Sequence, residues 1–240
     1  MPTSPYKAFL EEGLRLLSFQ ATVISGAMVI ARLAEDISAS RPEADVVAEL
    51  VERLNLKSLG RLPDPNVVLA DPHGQVLREM LAARYVDNFL GYVVELLALV
   101  FSMRPEMLKS GEHVKVDFVL SYPDKDSLVR ALIERRINRL SYLGMTELEK
   151  DLKQRIGMAL FENQDDRERA VELNELRNVI VHNRGVINRR AAHRAPRLAT
   201  RIGQKVDVSF ENLDSQRKFL DVLAKNIDER AIKIFKLTSS

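Results

Sequence analysis

Arg177, Asn178 and His182 place a guanidinium, a carboxamide and an imidazole within six residues of chain. An imidazole is the side chain that titrates near neutrality and moves protons. A guanidinium grips a phosphate or carboxylate through two parallel N–H donors and stabilises charge that grows on its oxygens. Together they make a face too polar for a core and built to meet something. On a helix, Asn174, Asn178 and His182 step by four and stack along one line, whereas Arg177 and His182 lie about 140° apart around the axis. One helix does not bring that pair together tightly. Two copies facing each other across a two-fold axis would supply two arginines and two histidines to one cleft, so a homodimer through the Arg177/His182 face is the natural corollary. Leu173, Leu176, Val179 and Ile180 form the apolar arc expected to meet the core, with Asn174, Arg177, Asn178 and His182 opposite.

Other chemistries are excluded or unsupported. The chain has no cysteine, so it has no disulfide, no thiolate nucleophile and no cysteine-ligated metal. Its four histidines, His73, His113, His182 and His193, lack metal-ligand spacing, and neither a metal nor a cofactor is expected. His73 and His113 read as loop residues without a role. The net charge of +2 announces no nucleic-acid binder by itself, so local clustering must carry that case against the alternatives of a solvated surface or a docking face for an acidic partner. From Arg184 to Lys205 the chain carries Arg184, Arg189, Arg190, His193, Arg194, Arg197, Arg201 and Lys205 without one acidic residue. Such a run draws a polyanion. It offers no aromatic ring for bases to stack on, so backbone contact with little sequence readout is expected. The RNA-contacting candidates are Asn174, Asn183, Arg184, Arg189, Arg190, His193 and Arg194. Asn183 alternatively caps the helix end in a left-handed conformation, the role it suits better, and Gly185 ends the helix through its backbone freedom.

The elements that must position these groups are mostly helical. Phe9, Leu14, Leu17, Val23, Met28 and Leu33, then Val46, Leu50 and Leu54, recur at helical spacing and predict two or three helices in the first sixty residues. Asp71-Pro72 predicts the start of a long helix ending before Arg104-Pro105. Val114 to Phe118 alternates and suits a strand, with a helical turn as the alternative, and Lys205 to Phe210 alternates like a short strand. A helix from Pro123–Asp126 to about Leu143 is stopped by Gly144, and Thr146 with Glu149 forms a capping box for the next. After a charged loop around Asn163 to Arg167 the key helix runs from about Arg169 to His182 or Asn183, and Leu213 to Phe235 forms the last. The fold expected is an all-α bundle with at most a small β element, residues 1–105 packing helices on a domain of residues 106–240. The uncharged stretch Leu16–Ala31 is too short and too polar to span a bilayer, and the N-terminus carries Glu11 and Glu12 where a signal peptide is basic. A cytoplasmic protein without a membrane partner is expected.

The string Glu175-Leu176-Arg177-Asn178-Val179-Ile180-Val181-His182-Asn183-Arg184-Gly185 resembles the signature of HEPN domains, in which an Arg followed by a polar residue precedes a His within two helical turns. The resemblance is best from about Met107 to Phe235 and fades toward the N-terminus. It implies a HEPN-type helical bundle and, for many members, a metal-independent endoribonuclease working as a dimer, often a toxin or defence effector with an antitoxin or regulatory partner. Arg177 and His182 would then be catalytic, with Asn178 orienting His182 or binding substrate. Other HEPN domains bind without cleaving, and a non-catalytic module for RNA, nucleotide or protein is the alternative. In a third reading the face is purely structural and His182 is buried and paired.

Overall fold

Between Gln75 and Met103 apolar residues recur on every side of the helix, a pattern that only a central, surrounded helix can satisfy. The computed structural model describes residues 1–38, 52, 74–108, 113–141 and 143–237. In it this segment is α2, with Phe89, Tyr92, Val93, Leu96, Leu97, Val100 and Phe101 all buried. Helix α1 (Ser4–Ser38) lies along α2, as do α4 (Lys125–Ser141), α6 (Gln164–His182) and α8 (Phe210–Phe235). The short α3 (Val116–Leu120), α5 (Met145–Ile156) and α7 (Arg189–Arg194), with 3₁₀ turns at Pro105–Leu108 and Pro196–Arg201, fill the ends. The chain is an all-α bundle. Among the described residues the one β feature is an isolated antiparallel bridge between Val186 and Lys205.

Helix α2 is also long and apolar enough to cross a membrane by length and composition, alone among the described helices. Here its apolar surface is used by its neighbours instead. Tyr6 and Phe9 of α1 pack on Tyr92, and the Tyr92 hydroxyl donates to the Ala224 carbonyl of α8 at 3.1 Å. Both Thr3 groups, the backbone N–H and the hydroxyl, donate to the buried Asp228 carboxylate, which pins the start of α1 to α8. Gln216 of α8 donates to the Ala82 carbonyl at 2.7 Å.

Several local expectations are corrected. Helix α2 starts at Gln75 behind Gly74, and Asp71-Pro72, His73 and Val46, Leu50 and Leu54 lie outside the described residues. The predicted strand at Val114–Phe118 is instead the single turn α3. Helical spacing there brings Phe118 and Tyr122, four apart, edge to face at 5.1 Å between centroids, with Arg135 stacked over Phe118. Gly144 is the N-cap of α5 rather than the stop of α4, which ends at Ser141. The Thr146/Glu149 capping box does not form, and Glu149 pairs with Arg167 of α6 at 2.7 Å.

The strand expected over Lys205 to Phe210 forms no ladder beyond the single bridge at Lys205, and Phe210 already belongs to α8. Val206 and Val208 are buried, as alternation requires, while their carbonyls accept from the Gln75 and Arg78 side chains of α2 at 2.7 and 2.6 Å. Side chains of a helix take the place of the missing partner strand.

Candidate functional site at the end of helix α6

Helix α6 begins where Asn163 accepts from the Asp166 N–H at 2.8 Å, with Asp165 and Asp166 in the positive first turn. It ends on a left-handed pair. The Val179 carbonyl accepts from Asn183 at 2.9 Å and Gly185 at 3.1 Å, while Arg184 has φ 52° and Gly185 φ 75°. Asn183 is therefore the C-cap without being left-handed, since its φ is −132°; its side-chain amide donates to the Val186 carbonyl. Arg184 takes the conformation expected of Asn183. A Cβ on Gly185 would meet the Glu79 carboxylate at 3.4 Å and hold an L-residue at positive φ. Gly185→Ala is expected to cost about 1–2 kcal/mol in urea unfolding, and an unchanged midpoint would show that the turn relaxes.

The faces of α6 divide only in part as periodicity predicts. On the apolar arc Val179 is buried, and Leu173, Leu176 and Ile180 are half-buried, packed on the core, and line an open cleft of about 380 Å³ that Arg177 shares with α8 and the Val206–Val208 segment. The polar arc is graded along the helix: Asn174 is 4% exposed and the neighbouring Glu175 6%, Arg177 and Asn178 are half-buried, and His182 is exposed. Helices α5 and α7 cover the polar side, which sequence periodicity cannot report.

What this produces is a linked set of polar groups. Arg177 Nε donates to Asp87 Oδ1 of α2 at 2.7 Å, and its Nη1 to Asn178 Oδ1 at 3.2 Å. Asn178 donates to Glu175 Oε1 at 3.4 Å, Asn174 to the same oxygen at 3.5 Å, and Arg194 of α7 stands 3.7 Å from it. Burial pushes the Glu175 carboxyl above its ordinary 4.5, while Arg194 and the Asn178 hydrogen bond pull the other way. A carboxyl raised in the fold holds its proton more tightly there than in the open chain. Its contribution to stability is whole below 4.5 and is lost as the pH rises through the folded value. Glu175→Gln should therefore melt at or below wild type at pH 4 and above it at pH 8; a pH-independent offset would contradict this.

His182 is exposed and shares a cavity of about 410 Å³ with Asn178, Asn183, Glu175, Arg190 and Arg194. It is not the buried, paired histidine of a purely structural face. Arg184, Arg189 and His193 are exposed but do not line this cavity, and Asn174 is buried away from solvent. Arg197 is held by Asp165 at 2.5 Å and Glu168 at 3.2 Å, and Lys205 by Glu79 at 3.7 Å. So the basic segment is a folded strip of α7 and a 3₁₀ turn, with Ile187, Ala191, Ala195 and Leu198 buried beneath its cations. Arg177 faces α2, and within one chain it lines a different cavity from His182.

Two members of the linked set, Asp87 and Glu175, carried no role in the sequence reading. A carboxylate in the apolar run of α2 was the available signal for Asp87, because such a group needs a partner. Glu175 stands three residues before Asn178, the spacing of a helical contact. Among the described residues no group of acidic or histidine side chains is arranged to hold a metal. No family model matches the chain, and comparison with curated proteins and with solved structures gives no match.

Proposed function

We propose that the chain is a metal-independent endoribonuclease whose reaction is centred on the cavity at the end of α6. The observation that carries this reading is the exposed His182 imidazole set in a cavity with the Asn178 amide and the Arg190 and Arg194 guanidiniums. A cationic wall seats a phosphodiester backbone, and an accessible imidazole beside it exchanges protons with the adjoining ribose. The HEPN-like string around the site supports the same reaction. The RNA 2′-oxygen bonds to phosphorus as its proton passes to the His182 imidazole. The bond from phosphorus to the 5′-oxygen breaks, and that oxygen takes a proton from a second imidazole or from water. The products are a 2′,3′-cyclic phosphate and a 5′-hydroxyl.

Because Arg177 and His182 open on different sides of α6, Arg177 reaches the reacting phosphate only from a second copy, so the active species is a homodimer with a composite cleft. The role is that of a cytoplasmic toxin or defence effector restrained by a regulatory partner.

A second reading is favoured by the Arg177–Asp87 pair, which already engages the guanidinium within the chain: a non-catalytic module that binds RNA through the same cavity. The two separate on incubation of total and transfer RNA with the purified protein in EDTA, followed by end-group determination. Cyclic-phosphate ends support the nuclease. Retention of RNA without cleavage supports the module, and 3′-hydroxyl ends or a strict magnesium requirement overturn the chemistry.

A further inference from the structure

A second cavity lies at the other end of the bundle. The end of α6 meets the start of α2, where Gly185 and Lys205 approach Glu79. The second cavity instead includes Phe101, twenty-two residues further along α2, or about 33 Å down the helix axis. It encloses about 430 Å³, within the range of roughly 300–1,000 Å³ typical of small-molecule sites.

Its wall has two chemistries. The apolar part is Phe101, Met107, Leu108, Val129 and Leu132. The polar part is four guanidiniums, Arg135, Arg136 and Arg139 from two successive turns of α4 and Arg155 from α5, together with His113. No carboxylate is among the described lining residues. Asp151 ties Arg136 to Arg155, whose Nε stands at 3.2 Å, and fixes the distance between the two helices. A guanidinium has five N–H donors in a rigid fork, so an arginine that holds a carboxylate behind it still presents donors in front. Arg135 and Arg139, four residues apart on α4, are exposed on one face of the helix.

We infer that this cavity binds a small organic phosphate with a planar or apolar body, of about the size of a nucleoside monophosphate. A carboxylate offers two oxygens and one charge. A phosphate monoester offers three terminal oxygens and a charge of about −1.5 to −2 at neutral pH, the better match to a wall of several guanidiniums. The apolar wall takes the body of the ligand. This site does not depend on the nuclease reading, since it shares no residue with the cavity of His182.

The test is calorimetric titration of the full chain with AMP, GMP, CMP and UMP, alongside inorganic phosphate and adenosine as the two halves of the ligand. At least one monophosphate should bind, with each half at least tenfold weaker. Arg135→Gln/Arg139→Gln, both on exposed positions, should weaken that binding at least tenfold with unchanged helical circular dichroism, while His182→Ala leaves it intact. A Leu132→Glu variant that still unfolds cooperatively should also lose it, through the apolar wall. The inference is overturned by any of three results: no monophosphate binding at millimolar concentration, inorganic phosphate binding as tightly as the nucleotides, or binding that survives Arg135→Gln/Arg139→Gln and disappears in His182→Ala.

Discussion

RNA cleavage by the His182→Ala protein should fall by about 10²–10⁴, the usual contribution of one positioned acid–base group, while the melting temperature stays where it is. The second half of that expectation follows from placement: the imidazole is exposed at the last residue of α6, and its removal opens no hole in the core. Growth arrest on expression should disappear with the same substitution if the cleavage is toxic. A rate retained within threefold would remove His182 from the reaction and leave the cavity as a binding surface.

Arg177→Ala should produce a double effect. If the guanidinium of one copy stabilises charge on the phosphate held by the other, its loss costs about 10²–10³ in rate, the effect of deleting one donor to a developing oxyanion. The same change also leaves Asp87 without its 2.7 Å partner, costing on the order of 1 kcal/mol of stability because both side chains are only partly exposed. Arg177→Lys separates these contributions. An ammonium preserves the attraction to Asp87 but not the two-pronged grip on a phosphate, so stability should recover while the rate stays at least tenfold low. If Arg177→Ala loses stability and no rate, the arginine serves only to fasten α6 to α2, and the composite cleft is wrong. Sedimentation of the cleaving species as a monomer would be equally damaging to it.

The parts of this fold that were legible in the sequence are those whose signal is long and repetitive. Helix α2 and helix α8 each carry several turns of apolar residues, and the helix carrying Arg177 and His182 shows its end before Gly185 openly, whereas its start, expected near Arg169, lies at Gln164 behind the Asn163 cap. Single turns were not legible. Val114 to Phe118 alternates over five residues, too few to separate a strand from one helical turn, and the Phe118–Tyr122 contact that decides the matter lies partly beyond that window. In the segment from Arg184 to Lys205 the density of cations hid a second pattern of small apolar residues, Ile187, Ala191 and Ala195, spaced by four, on which α7 folds back over α6. That fold-back decides the site. It brings Arg190 and Arg194 beside His182, and could not be deduced from one helical wheel, because a wheel describes a helix without its neighbours.

Helix α2 is complete at Met103, yet α8, whose backbone carbonyl receives Tyr92 and whose Asp228 receives Thr3, is not finished until Phe235. At synthesis rates of about 5–20 residues per second, the most apolar helix of the protein waits roughly ten seconds for its last covering layer. During that interval α1 is already made and α4 and α6 join it in turn, so the side of α2 that meets α8 is the last to be covered. The nascent chain is thus at its most adhesive in mid-synthesis, when a chaperone or a stray neighbour has its best chance of reaching it.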